Sequence, residues 1–183
     1  YTQFDSSGHL QEYQKRITNN LYASQNPSLA VDSQNQVHLI WQDNRDNNDE
    51  IYYAKIDAND NIVINDKRLT FNVYQSQHPK ILSSGDKLHV LWLESRSNGK
   101  NIYYKQLSQD GSQLIADKAI LPLDVQEFSV ALLDNKLFLW SKSAGFLSLF
   151  IADAGTGTIT ANITLNITGS SPLIDASQNE IIL

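Results

Sequence analysis

The groups in this 183-residue chain best suited to hold a carboxylate are its four arginines, because a planar guanidinium fork meets a carboxylate with two parallel hydrogen bonds. They fall into two pairs. Arg45 and Arg96 stand 51 residues apart, and Arg16 and Arg68 stand 52 apart. His38 and His89 repeat at the same 51-residue interval. A catalytic group is needed once, whereas a group that recurs with a structural period serves each copy of the unit. The arginines and these two histidines are therefore expected to be structural. His9 and His78 have no evident partner, and no local motif suggests a Ser-His-Asp arrangement. A pair of carboxylates assembled from distant segments leaves no local signature, and nothing points to one.

Oxygen-rich loops are the other chemical candidates. Asp57-Ala58-Asn59-Asp60-Asn61 spaces its oxygens like the start of a calcium loop, but lacks the glycine and the distant glutamate. The Asp43–Glu50 loop is also oxygen-rich, with Arg45 inside it. Both read as solvated turns. No metal site and no cofactor is expected, and a calcium ion, if one binds, would stiffen a loop. Asn162-Ile163-Thr164 and Asn166-Ile167-Thr168 are glycosylation sequons at Asn162 and Asn166, which matter only if the source glycosylates.

The elements that position these groups repeat. Trp41 recurs as Trp92 and again as Trp140, at spacings of 51 and 48. Val37-His38-Leu39-Ile40-Trp41 matches Leu88-His89-Val90-Leu91-Trp92, and Ile51-Tyr52-Tyr53 matches Ile102-Tyr103-Tyr104. Asp66-Lys67 matches Asp117-Lys118, and Arg16-Ile17-Thr18 matches Arg68-Leu69-Thr70. One repeat holds four short apolar or alternating runs, Leu29–Val31, Val37–Trp41, Glu50–Ile56 and Ile62–Leu69, between Asn-, Asp- and Gln-rich turns. No run carries a sustained helical period. Four strands in about 50 residues, repeated, predict an all-β protein made of four-stranded antiparallel β-propeller blades, since one such sheet buries its faces only by stacking on the next.

About four blades are expected: a partial blade over 1–26, blades at 27–78, 79–126 and 127–170, and a partial blade over 171–183. The two partial blades could close a ring, two copies could combine, or the chain could be a slice of a larger propeller, the reading favoured by the mid-strand run at its end. Trp41, Trp92 and Trp140 are expected at equivalent places in second strands. One Tyr of each pair should enter a blade interface and the other the opposite face. Arg45 and Arg96 should fix the turn after those strands, next to Asp43 and Glu94. The third repeat has Ser141–Gly145 there, without an Arg, and its loop should be shorter and differently held.

Composition narrows the partners. The net charge of −6 and the absence of a basic stripe argue against nucleic acid. No stretch reaches the roughly 18 apolar residues of a membrane span. Without cysteine there is neither disulfide nor thiolate metal site.

The runs Ser24–Asp32, Val37–Arg45 and Glu50–Tyr53 resemble the repeats of sialidase-like (BNR/Asp-box-related) propellers of secreted bacterial and archaeal surface proteins. The resemblance is most specific over 16–121. The turns Asp5–Gly8, Asp57–Asn61, Ser108–Gly111 and Asp153–Gly155 keep Asp-box chemistry without the complete box or its Trp. The resemblance implies a sugar-binding arginine trio in an active relative, but the arginines here repeat with the blades, so no sialidase turnover is expected. The reading from sequence is thus an extracellular or cell-surface, non-catalytic recognition or scaffold module, not an enzyme, for a glycan or protein ligand. Alternatives are a fragment of a sialidase-like glycoside hydrolase and a structural subunit of a surface layer or filament, with further copies as partners. The fourth-to-first and second-to-third connections should share one face, where loops differ between blades and binding usually sits. The loop candidates are Asp43, Asn44, Asp46, Asp49, Glu94 and Asn98.

Overall fold

A computed structural model describes residues 1–12, 14–121, 124–144, 146–165, 175–177 and 180–182. Its strands in chain order are β1 (Gln3–Phe4), β2 (Leu10–Glu12), β3 (Ser24–Val31), β4 (Val37–Asp43), β5 (Glu50–Ile56), β6 (Ile62–Arg68), β7 (Gln75–Ser84) and β8 (Lys87–Arg96). They continue as β9 (Gly99–Ser108), β10 (Gln113–Leu121), β11 (Glu127–Leu133), β12 (Lys136–Ser143), β13 (Phe146–Asp153), β14 (Thr158–Leu165), β15 (Asp175–Ser177) and β16 (Glu180–Ile182). No helix occurs among the described residues. Three four-stranded antiparallel sheets, β3–β6, β7–β10 and β11–β14, stand between the two-stranded sheets β1–β2 and β15–β16. This is the stacked-blade fold expected from the repeat. First strands of successive blades touch, β3 on β7, β7 on β11 and β11 on β15, so they surround a common axis.

Burial explains the strand patterns. Every residue of β4 is buried, because a second strand lies between two neighbouring blades and shows both faces to apolar surface. The outer strand β6 alternates instead, with one face toward solvent. Even-numbered Ile40 and odd-numbered Ile51 and Tyr53 pack on Ile81, Leu88, Val90, Trp92 and Tyr103 of the second blade. The second blade turns Leu91, Leu93, Ile102 and Tyr104 toward Phe128, Leu137, Leu139 and Phe150 of the third. Of the two tyrosines in the first blade, Tyr53 enters the interface with the second blade and Tyr52 stacks on Trp41 on the other face.

The turns between third and fourth strands are locked by their own aspartates. Asp5 Oδ1 accepts from the Ser7 and His9 amides, and Asp57 Oδ1 accepts from the Asn59 and Asn61 amides, all at 2.9 Å. These oxygens are occupied by backbone N–H groups, the ordinary role of a turn aspartate. The turns of the three four-stranded blades also clasp the blade before them. Lys15 donates to the Asp60 carbonyl, Lys67 to the Gly111 carbonyl at 2.6 Å, and Lys118 to the Thr156 carbonyl at 2.7 Å. Gly111 and Gly157, both at positive φ, sit against Tyr53 and Tyr104 of the preceding blade.

The tryptophans depart from expectation in one respect. All three lie on second strands, but Trp92 faces the first blade, while Trp140 packs with Ala131, Phe138, Leu147 and Leu149 on the face turned away from the second blade. Hairpin registers explain this. Ser84 pairs with Lys87 in the second blade and Leu133 with Lys136 in the third, an offset of 49 between the blades, so Ser141 holds the place of Trp92. The 48-residue spacing is one residue short, and a one-residue slip turns a strand residue to the opposite face. The loop after β12 also differs from expectation: it spans positions 144–145, shorter than 44–49 in the first blade but equal to Ser97–Asn98 in the second.

Candidate functional site

Ionisable residues divide into two groups, those tied into repeated structural clusters and those left open. The Asp43 carboxylate receives Trp41 Nε1 at 3.1 Å, Ser24 Oγ at 2.7 Å, Arg45 Nε at 2.9 Å and Arg45 Nη2 at 2.8 Å. Arg45 also meets Asp66 at 2.9 Å and covers the Tyr52 ring at 4.3 Å. In the second blade Glu94 takes the same place, receiving Arg96 Nε at 2.6 Å, Asn72 Nδ2 at 2.9 Å and Trp92 Nε1 at 3.4 Å. Arg96 covers Tyr103 at 4.8 Å and Tyr74 at 4.5 Å. Burial pushes the Asp43 carboxyl up, but the bonds from Arg45, Ser24 and Trp41 outweigh it and hold the group well below the usual carboxylate range. Glu50, fully buried, is shifted upward by burial, partly offset by Thr70 and Arg68. Arg68 bonds the Thr70 carbonyl at 2.6 Å, as Arg16 bonds the Thr18 carbonyl at 2.6 Å.

The loop candidates are not brought into one site. Asp43 and Glu94 are fully buried and show no carboxylate to solvent. Asp46 is held by Tyr52 and Arg68, and Asn44 Oδ1 accepts from the Ala23 amide at 3.0 Å. Asn98 is an exposed turn residue. Asp49 accepts from Gln77 Nε2 at 2.6 Å, and its carbonyl accepts from the Ser76 amide at 2.7 Å. The connections do share one face: Asn48 Nδ2 donates to the Asn72 and Tyr74 carbonyls, and the Val125 amide to the Lys100 carbonyl. Asn162 is exposed on β14, and Asn166 lies outside the described residues.

A site that sequence reading missed lies on the axis. A cleft of about 610 Å³ opens among the first strands, lined by Asn26, Pro27, His78, Pro79, Lys80, Leu93, Gln126, Glu127 and Phe128. These come from β3, β7 and β11, with Gln126 just before β11 and Leu93 of β8. The rings and tips of His78, Lys80 and Glu127 make no hydrogen bond or ion pair among the described residues, unlike the arginines and acids of the repeated clusters. Loss of solvent in the cleft, with the charges of Lys100 and Lys80, holds the His78 imidazole below its ordinary value, while Asp49 and Glu127 pull it upward. The signal available in the sequence was that His78 and Glu127, unlike His38 and His89, do not recur with the period.

No protein-family model and no curated protein matches the sequence. Solved structures do resemble the fold. One is from the GH130 family of mannoside phosphorylases, described as containing glycoside hydrolases that target beta-1,2 mannosidic linkages in Candida mannan: 8% identity, TM-score 0.54, over 76% of this chain and 48% of that one. Another is Zg3597, a family 117 glycoside hydrolase of Zobellia galactanivorans: 11% identity, TM-score 0.54, over 78% and 47%. A third is TolB of Acinetobacter baumannii: 18% identity, TM-score 0.55, over 90% and 37%. The chain spans about half or less of the length of these structures. The likeness establishes a β-propeller fold shared with glycoside hydrolases. Glycoside hydrolases among the similar structures correct the expectation of a non-catalytic recognition or scaffold module and favour its glycoside-hydrolase alternative.

Proposed function

We propose that the chain binds a neutral glycan in the axial cleft and takes part in cleaving its glycosidic bond. The observation that carries this reading is the convergence of His78, Lys80 and Glu127, whose side chains have no hydrogen-bond or ion-pair partner among the described residues, on one cleft between three first strands. Glycoside hydrolysis needs a carboxylic acid to protonate the leaving oxygen and a carboxylate on the opposite side of the sugar. Glu127 lines the cleft and is assigned the proton transfer. No second carboxylate lines the cleft among the described residues. In the step, Glu127 gives its proton to the glycosidic oxygen as the C–O bond breaks, and water then adds to the anomeric carbon and returns a proton to the Glu127 carboxylate.

The repeats keep their sialidase-like character in this reading, but the substrate differs. Arg16, Arg45, Arg68 and Arg96 are all engaged by carbonyls or carboxylates and none lines the cleft, so a neutral sugar suits it better than a carboxylated one. A glycan partner also agrees with an extracellular or cell-surface location. The test is release of reducing ends from a panel of neutral α- and β-linked oligosaccharides, with a sialoside included. Turnover of a neutral member is expected. Turnover of the sialoside alone would overturn the assignment of substrate, and no turnover of any member would overturn the assignment of cleavage.

A further inference from the structure

Two inner strands carry the same interruption at the cleft. In the β3–β4 pair the register shifts between Gln25 and Ser28, and in the β7–β8 pair it shifts between Gln77 and Lys80. The residues left unpaired are Asn26-Pro27 and His78-Pro79. Asn26 has φ 50° and His78 φ 51°, in the left-handed region. The third blade has no such feature, since the β11–β12 register runs unbroken from Glu127 to Leu133. A bulge re-aims a side chain and occurs beside functional sites, and a non-glycine residue at positive φ costs backbone energy that glycine would not. Glycine would serve both bulges better if only the chain path mattered.

What a glycine would lose is a polar tip in the cleft. Buried Gln42 places its Oε1 between the two bulges, accepting from Asn26 Nδ2 at 3.0 Å and from the His78 amide at 3.3 Å. The Asn26 amide is thereby oriented, its Nδ2 directed at Gln42 and its Oδ1 left as an acceptor. The His78 backbone is fixed while its ring stays open. Both residues line the axial cleft.

We propose that Asn26 and His78 form a hydroxyl-recognition pair for the neutral sugar, held in strained backbone by the two bulges and indexed by Gln42. This rests on the functional reading above for the ligand, and it adds the residues that orient it. An amide oxygen and an imidazole on adjacent strands offer one acceptor and one donor–acceptor group, the set that neighbouring hydroxyls of a pyranose satisfy. They are positioning residues; proton transfer belongs to Glu127.

The test uses the full chain with Asn26→Gly, His78→Gly and His78→Asn. Melting temperature is measured together with binding of mannobiose, cellobiose and maltose by titration calorimetry. His78→Gly is expected to melt at or above the parent, and Asn26→Gly below it because it also strips the donor to buried Gln42 Oε1. Both are expected to bind at least tenfold more weakly the disaccharide that the parent binds. His78→Asn, which tolerates the same backbone and keeps a polar tip, is expected to recover part of the affinity. Binding lost in the glycine variants of a chain that shows no cleavage leaves this pair standing and removes the hydrolytic reading. Cleavage at unchanged KM by His78→Gly removes the pair and leaves the hydrolytic reading. A lowered melting temperature with unchanged binding, or no disaccharide bound by the parent, overturns the proposal.

Discussion

Protonation of a single buried ring links this fold to pH. His89 is sealed in the interface between the second and third blades, with Nδ1 on the Tyr104 hydroxyl at 2.9 Å and Nε2 without a partner. Burial, helped by the charge of Lys87, lowers its value to about 4 from 6.5. Between those values the unfolded chain holds a proton that the folded chain does not, so stability rises with pH across that window and is lost on acidification. The difference amounts to about 3 kcal/mol. Thermal melts at pH 7 and pH 4 should show a larger fall for the parent than for His89→Gln; equal falls would show that another group governs the acid limb. His38, its repeat partner, has Asp32 at 3.1 Å to support a charge, which His89 lacks. Trp140 gives a second test at this scale. Its Nε1 is buried without a partner, whereas that of Trp41 donates to the buried Asp43. Trp140→Phe should cost under about 1 kcal/mol and Trp41→Phe about 1–3 kcal/mol, because only the latter strips a donor from a buried carboxylate. Denaturant melts returning equal costs would contradict the slipped register.

Blades are held to one another by an element that the sequence displays openly, the turn between third and fourth strands. Adding a Cβ at Gly157 would bring it 2.6 Å from Tyr104 Cδ1, and at Gly111 3.0 Å from Tyr53 Cε1, while at Gly8 it meets nothing within 4 Å. All three glycines have positive φ. Gly8→Ala should therefore cost only the backbone penalty of about 1 kcal/mol, and Gly111→Ala or Gly157→Ala about 1–3 kcal/mol more from the clash. Melting curves showing one common cost would mean that the turns do not brace the neighbouring blade. The strands themselves were legible because their apolar runs and turn residues repeat; Val37–Trp41 and Glu50–Ile56 lie within the strands observed. The lysine clasps were visible as repeats of Lys67 and Lys118, but their acceptors are main-chain carbonyls, which carry no side-chain signature. Trp140 misled because a residue match carries no information on strand phase: one deleted residue preserves the residue type and reverses its face. The axial cleft was illegible for the opposite reason. Asn26-Pro27 and His78-Pro79 match in the repeat, but the residue types differ and Glu127 matches neither, so the three meet as a site only when three first strands stand around one axis.

At the scale of the whole molecule, the buried repeated clusters and the axial cleft hold charge in different ways. Groups that recur with the blades, such as Asp43 with Arg45 and Glu94 with Arg96, neutralise each other within the wall. Groups that occur once, His78, Lys80 and Glu127, face the axial cleft. Three blades thereby bring side chains without partners together in one cleft. The measurement that tests this most directly is the rate of reducing-end release by Glu127→Gln against the parent, on the neutral oligosaccharide the parent turns over fastest. Loss of a proton-transfer group predicts a fall in kcat of about a hundredfold or more, with the melting temperature unchanged because Glu127 has no structural partner among the described residues. A Glu127→Gln chain that cleaves at the parental rate would contradict the account.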